Sequence, residues 1–310
     1  MVIKMAKNIL GEVIEAGEYL LPGHTACPGC GSALALRWVL KALGKDTILV
    51  IPASCSSVYQ GIYPSSAINV FVFNVAFASA AAVASGISQA LEARNFKDVH
   101  VVVWGGDGGL VDIGFATVSG AAERNENILV ICYDNEAYMN TGIQRSGSTP
   151  PGAITTTTPL GKIVGFKKPA PFIWLLHGIP YVATASVAYP LDLYQKVKKA
   201  AKIKGFKYIH IFSPCPPGWR FDDSKTVSVA RLAVETGYWI LWEAERVNGK
   251  LRFTLSPPSK PYLDPSKRKP IEEFLRLQKR FSQFTEDSIK RIKEFIDFQW
   301  SLVKKFLGEE

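Results

Sequence analysis

Two glycine-framed stretches hold the residue types best suited to chemistry. They are Gly105-Gly106-Asp107-Gly108-Gly109 and Asp134-Asn135-Glu136-Ala137-Tyr138-Met139-Asn140-Thr141-Gly142. Glycines let backbone N–H groups come close to a phosphate and reach positive φ. Asp107 and Asn135, twenty-eight positions apart, offer a carboxylate and a side-chain amide oxygen. Hard oxygens of that kind, with a backbone carbonyl and diphosphate oxygens, suit octahedral Mg²⁺. The same glycines could form only a strand-to-helix turn, and they do not follow the G-x-G-x-x-G dinucleotide pattern.

The cysteines make a second candidate site. Cys27-Pro28-Gly29-Cys30 is a C-x-x-C in a glycine/proline turn, and Cys55 lies just past the strand-like 47–51. Cys215 sits in Ser213-Pro214-Cys215-Pro216-Pro217-Gly218-Trp219. Cys132 lies inside an apolar run, where a buried, inert thiol is expected. Four thiolates can hold Zn²⁺ or an iron–sulfur cluster, and a lone C-x-x-C can be a redox dithiol. On their own the cysteines leave cluster, zinc and unpaired thiols open. Among the histidines, His24 adjoins the cysteine turn and could contact cofactor or substrate. His100 and His210 read as strand packing residues, and His177 ends a helix.

These residues need a frame that gathers them at one edge. The run Val99-His100-Val101-Val102-Val103-Trp104 reads as a buried parallel strand delivering Asp107. Asn127-Ile128-Leu129-Val130-Ile131-Cys132-Tyr133 reads as the strand delivering Asn135. Strands are expected at 47–52, 69–74, 98–104, 127–133, 180–184 and 207–213. Helices are expected at 32–43, 77–94, 112–125, 171–177 and 190–203. That alternation gives an α/β fold with a doubly wound, mostly parallel sheet, whose ligands bind at the carboxyl ends of the strands. The Thr/Pro/Gly-rich 146–168 is a long loop, expected to be functional or an interface arm. Residues 256–265 read as an extended linker, and 271–307 as one or two amphipathic helices packed on this domain or a partner. The expected division is 1–220 for the binding domain and 221–310 for a helical C-terminal extension.

Taken together, the segments Gly23–Gly31, Ala80–Ile87, Gly105–Gly109, Tyr133–Gln144 and Pro214–Trp219 resemble the β subunits of 2-oxoacid:ferredoxin oxidoreductases, most closely those acting on pyruvate. The resemblance implies a thiamine-diphosphate-binding (pyrophosphate domain) fold. It implies a [4Fe-4S] cluster on Cys27, Cys30, Cys55 and Cys215, and Mg²⁺ held by Asp107, Asn135 and the Ala137 carbonyl. Ser32, Gly106, Gly108, Gly109, Glu136, Tyr138 and Met139 would line the thiamine, with Cys55 close to it and Asn140 near the reacting carbon. The reaction implied is oxidative decarboxylation of a 2-oxoacid. Electrons leave singly through the cluster to ferredoxin, and CoA takes the acyl group. Pyruvate comes first, then branched-chain acids, 2-oxoglutarate and oxalate. The family's thiamine-activating glutamate comes from another subunit, so α-, γ- and δ-type partners are expected, with the Thr155–Thr158 loop and the Phe-rich C-terminal helices as surfaces they cover. Two other classes keep part of the pattern: a non-redox thiamine carboligase, which needs no cysteines, and a zinc-stabilised binding module, which leaves Asp107 idle.

A formal net charge of +9 raises the question of nucleic acid, but the basic residues are dispersed and no DNA or RNA motif interleaves them. Attraction of anionic substrates and acidic partners is the functional reading of that charge, and a solvated surface the plain one. No run is long and apolar enough for a membrane span, and no secretory cleavage pattern follows the basic first residues. Free thiols for a cluster call for a reducing compartment, so the cytoplasm is expected.

Overall fold

The computed structural model describes residues 2–163 and 165–309, with side chains described from Ile9 onward. After α1 (Val2–Glu15) come α2 (Gly31–Leu43), β1 (Thr47–Pro52), α3 (Cys55–Tyr59), β2 (Phe71–Val75), α4 (Ala80–Ala93) and β3 (His100–Gly106). A π-helical turn, Gly108–Ile113, leads into α5 (Phe115–Glu123) and β4 (Leu129–Asp134). Beyond the long loop lie α6 (Ala170–Leu176), β5 (Tyr181–Ser186), α7 (Pro190–Lys202) and β6 (Lys207–Phe212). The remainder forms α8 (Pro216–Trp219), α9 (Thr226–Glu235), β7 (Trp242–Val247), β8 (Lys250–Leu255), α10 (Ile271–Arg276) and α11 (Glu286–Leu307).

Among the described residues the strands form one sheet in the order β2-β1-β3-β4-β6-β5-β7-β8. Strands β1 to β6 pair in parallel. Every residue of β4, β5 and β6 is buried, as strands covered by helices on both faces must be. The edge strand β2 differs: Phe71 and Phe73 are exposed. The chain leaves β1 for β2 on one side and places β3 on the other, so a crevice opens where the strand order reverses. Register then sets the site. Gly106 pairs with Tyr133 and Asp134 with Phe212, so β3, β4 and β6 end side by side.

The strands and helices expected over 31–215 are all present, with ends shifted by a few residues. After β6 the expectation fails in two places. Two further strands join the same sheet, β7 antiparallel to β5 and β8 antiparallel to β7. Their turn is Asn248-Gly249 at φ 50° and 76°, a hairpin signal in plain sight flanked by Glu, Arg and Lys residues that hid the strands. The expected linker over 256–265 is a pinned series of 3₁₀ turns. Ser259 Oγ accepts from the Leu241 N–H at 2.8 Å, and Lys196 Nζ donates to Ser256 Oγ at 2.8 Å.

The C-terminal helices pack on this chain. Phe274, Phe281, Ile292, Phe295 and Trp300 are buried, which corrects the expectation that a partner covers their apolar face. Helix α11 starts with a capping box between Thr285 and Ser288 and ends on left-handed Gly308.

Candidate active site

Four strand ends deliver the site: Cys55 follows β1, Asp107 follows β3, Asn135 follows β4 and Cys215 follows β6. Asp107 is fully buried, and Ser146 Oγ donates to its Oδ2 at 2.5 Å. Its Oδ1 faces Asn135. The Asn135 side-chain oxygen lies 3.1 Å from Asp107 Oδ1 and 2.9 Å from the Ala137 carbonyl oxygen. Rotating the amide would turn both into N–H donations; with the oxygen inward they form a triangle of hard donors. Neighbouring ligands of an octahedral Mg²⁺, bound at about 2.0–2.1 Å, stand about 2.9 Å apart. Burial, with the Asp134 carboxylate adding to it, pushes the Asp107 carboxyl well above the ordinary carboxylate range. A dication at the triangle would reverse that cost.

A narrow cavity of about 30 Å³ opens above this triangle. Cys55, Gly106, Gly108, Asn135, Ala137, Tyr138, Met139 and Asn140 line it, as the sequence places them. Gly108 is required sterically, because a Cβ there would run into the Tyr138 ring. The Ser54 hydroxyl, which the sequence reading passed over, borders the same cavity with its oxygen buried and without a hydrogen-bond partner. An orphaned donor beside glycine backbone fits an anionic ligand that would complete it.

A second cavity, of about 100 Å³, is lined by Cys27, Cys30, Cys55 and Cys215, and by Ser32 and Asn140. It shares Cys55, Asn135 and Asn140 with the first. Cys30 stands at the N-cap position of α2 and Cys215 at that of α8, with no side-chain cap hydrogen bond at either. Burial, with the neighbouring thiols adding to it, pushes Cys55 and Cys215 up to about 12. Among the described residues no three His, Cys, Asp or Glu side chains converge on a single-ion position. Cys132 is buried inside β4, apart from both cavities, as its apolar run implies.

Three residues expected in the site lie elsewhere than on the wall of the first cavity. Ser32 borders the cysteine cavity and hydrogen-bonds Tyr59 Oη at 3.0 Å. Gly109 is buried in the π turn, in the space beside Pro52. Glu136, at φ 65°, turns its side chain away into a buried ionic network. There Lys167 Nζ meets Glu136 Oε1 at 2.8 Å and Asp134 Oδ2 at 2.6 Å. Arg280 Nη2 meets Glu136 Oε2 at 2.6 Å, and Tyr238 Oη donates to Glu136 Oε1 at 2.6 Å. Although burial opposes it, Lys167 and His210 hold Asp134 below the usual carboxylate range. His210 therefore does more than pack. It bonds Asp134 Oδ2 and Tyr208 Oη, each at 2.8 Å.

The sequence reading missed Ser146, Lys167 and Arg280. Ser146 and Lys167 stand in the long loop singled out for its length; Arg280 had no local signal. Thr149 fixes that loop further by donating to the Glu136 carbonyl at 2.7 Å.

Known proteins resemble this chain along most of its length. The family described as "Thiamine pyrophosphate enzyme, C-terminal TPP binding domain" matches residues 53–211. The chain is 52% identical to the pyruvate synthase subunit PorB of Methanothermobacter marburgensis, over 90% of this chain and 95% of that one. It is 50% identical to the ketoisovalerate oxidoreductase subunit VorB of Pyrococcus abyssi, over 93% of each. A solved 2-oxoglutarate:ferredoxin oxidoreductase from Magnetococcus marinus, with 2-oxoglutarate, coenzyme A and succinyl-CoA bound, aligns with TM-score 0.55 at 27% identity. That match covers 71% of this chain and 80% of the other. By the domain it carries and by relatives matched along nearly their whole length, this chain belongs to the thiamine-diphosphate-binding β subunits of the 2-oxoacid:ferredoxin oxidoreductases.

Proposed function

We propose that this subunit carries the thiamine, magnesium and iron–sulfur sites of a pyruvate:ferredoxin oxidoreductase that works in the reducing cytoplasm. The observation that carries the reading is the oxygen triangle of Asp107, Asn135 and Ala137, set beside a cavity ringed by four cysteines. The two separations from the Asn135 oxygen, 3.1 and 2.9 Å, match the edge of a magnesium octahedron. The sulfurs surround a space without meeting at one point, which suits a [4Fe-4S] body better than a lone zinc ion. Residues 1–220 hold these groups, and from 221–310 Arg280 and Tyr238 bind Glu136 beside them.

Bound thiamine diphosphate supplies a carbanion for the 2-oxoacid carbonyl and an electron sink for loss of CO₂. The chain's own residues set the conditions. Asp107, Asn135 and the Ala137 carbonyl would hold the Mg²⁺ that neutralises the diphosphate. Gly106 and Gly108 let the backbone approach it. Asn140, shared by both cavities, stands where a reacting group would pass between them. Cys55, also shared, would hold the cluster at the edge of its cavity that borders the other. The net change is 2-oxoacid plus CoA giving acyl-CoA, CO₂ and a proton, with two electrons leaving one at a time to ferredoxin. Partner subunits would bring the glutamate for the aminopyrimidine and the groups for the substrate carboxylate.

A branched-chain 2-oxoacid is the second reading, because the VorB relative is nearly as similar as the PorB one. The test is CoA-dependent viologen reduction by the anaerobic complex with pyruvate, 2-oxoisovalerate, 2-oxoglutarate and oxalate. Highest kcat/KM on pyruvate is expected. Preference for 2-oxoisovalerate selects the second reading, and a colourless protein with stoichiometric zinc overturns both.

A further inference from the structure

We infer that Arg280 is a positioning residue that ties the magnesium-ligand loop to the loop of the fourth cysteine. The inference rests on the site reading above and deepens it. Arg280 comes from the C-terminal segment, far in sequence from both loops, and is buried. Its Nη2 meets Glu136 Oε2 at 2.6 Å, and Glu136 sits between Asn135 and Ala137 in the chain. Its guanidinium lies over the Trp219 ring, 3.7 Å from the centroid. Trp219 Nε1 donates to the Asn135 carbonyl at 2.7 Å, and the Trp219 N–H donates to the Cys215 carbonyl at 2.8 Å.

One planar cation thus grips two loops. It neutralises the residue between two magnesium ligands, and it presses down the indole that joins Asn135 to Cys215. Gln278 fixes the plane: its Oε1 accepts from Arg280 Nε at 2.9 Å, and its Nε2 donates to the Phe274 carbonyl at 2.7 Å. The Arg280 carbonyl also accepts from the Ile154 N–H at 2.8 Å, so the long loop hangs on the same residue. Charge alone would not need this arrangement, since Lys167 and Tyr238 already face Glu136. Orientation does: a planar guanidinium directs its N–H groups at a carboxylate while laying its face flat on an indole, whereas an ammonium is a point charge with no face to stack.

The experiment uses the anaerobic complex of this chain with its partner subunits. Arg280→Lys, Trp219→Phe and the double variant are compared for Mg²⁺-dependent thiamine-diphosphate affinity and for the electron paramagnetic resonance signal of the reduced cluster. Each single change should weaken thiamine affinity by about tenfold and shift the cluster signal, and the double change should cost clearly less than the sum, because the two residues act through one contact. Arg280→Lys keeps the charge beside Glu136, so it avoids the loss of a buried ion pair that Arg280→Ala would bring. Wild-type affinity and signal in Arg280→Lys, with only a lowered melting temperature, overturn the inference and leave the site reading standing. Additive losses overturn it as well. A wild-type complex that holds neither thiamine nor iron sinks both.

Discussion

Asp107 has no exposed surface, so whatever balances its charge must be buried with it. Ser146 donates to Oδ2 at 2.5 Å, while Oδ1 accepts only a long 3.4 Å bond from the Asn135 N–H and faces the Asn135 side-chain amide. Such a carboxylate is costly without a cation and strongly favoured with one. Asp107→Ala is therefore expected to abolish Mg²⁺-dependent thiamine binding, while Asn135→Ala, losing one neutral oxygen, only weakens it. Titration of thiamine diphosphate at several Mg²⁺ concentrations checks both, and unchanged affinity in Asp107→Ala would refute the metal assignment. Iron content should survive in each variant. At this scale the ligand residues were legible because glycines mark the turns that carry them. Glu136 was not, because a positive φ in an irregular loop sends its side chain away from its neighbours' ligand atoms. Ser146 and Arg280 were invisible for a different reason: they reach the site through tertiary packing, and no local pattern encodes that.

Each cysteine of the second cavity sits on a short turn or helix start fixed by backbone hydrogen bonds. The Cys30 N–H donates to the Cys27 carbonyl at 3.1 Å, and the Gly31 N–H to the Pro214 carbonyl at 3.2 Å. The C-x-x-C turn and the Cys215 turn therefore hold each other before any metal arrives. Serine at Cys27, Cys30, Cys55 or Cys215 is expected to lose or degrade the cluster, since a hydroxyl is a poor ligand for iron beside thiolates. Cys132→Ser should leave iron content intact. Iron and sulfide analysis of the five variants decides; an indispensable Cys132 with one silent member of the four would mean the ligand set is wrong. Elements with clear periodicity were readable from sequence: the buried strands are continuous apolar runs and the crossover helices lie between them. The β7–β8 hairpin escaped because its strands are short, charged on one face and rich in Glu and Arg, so burial on the other face had to be seen.

On the scale of the whole molecule, a large core supports a site that is open. Among the described residues no helix is long and apolar enough to cross a membrane. Large apolar side chains nevertheless face outward near the β1–β2 edge: Tyr63 is 94% exposed and Phe71 74%. The long loop adds Leu160 and Ile163. Patches of this kind mark contact surfaces, in keeping with partner subunits. The chain alone is expected to fold and hold iron but to show no 2-oxoacid- and CoA-dependent viologen reduction; full turnover by the purified single chain would mean that a complete active site lies within it. The strand order carries a consequence for how such a protein is made. β6 is the last of the parallel strands in the chain, yet it is inserted between β4 and β5, and Cys215 follows it directly. During translation Cys27, Cys30 and Cys55 leave the ribosome long before their fourth companion. Until β6 has slid into its slot, those three thiols share an unfinished crevice, open to stray metals and to oxidation. A cluster on the proposed ligands would therefore be loaded only once the sheet closes, and the nascent chain would have to stay reduced for the whole interval.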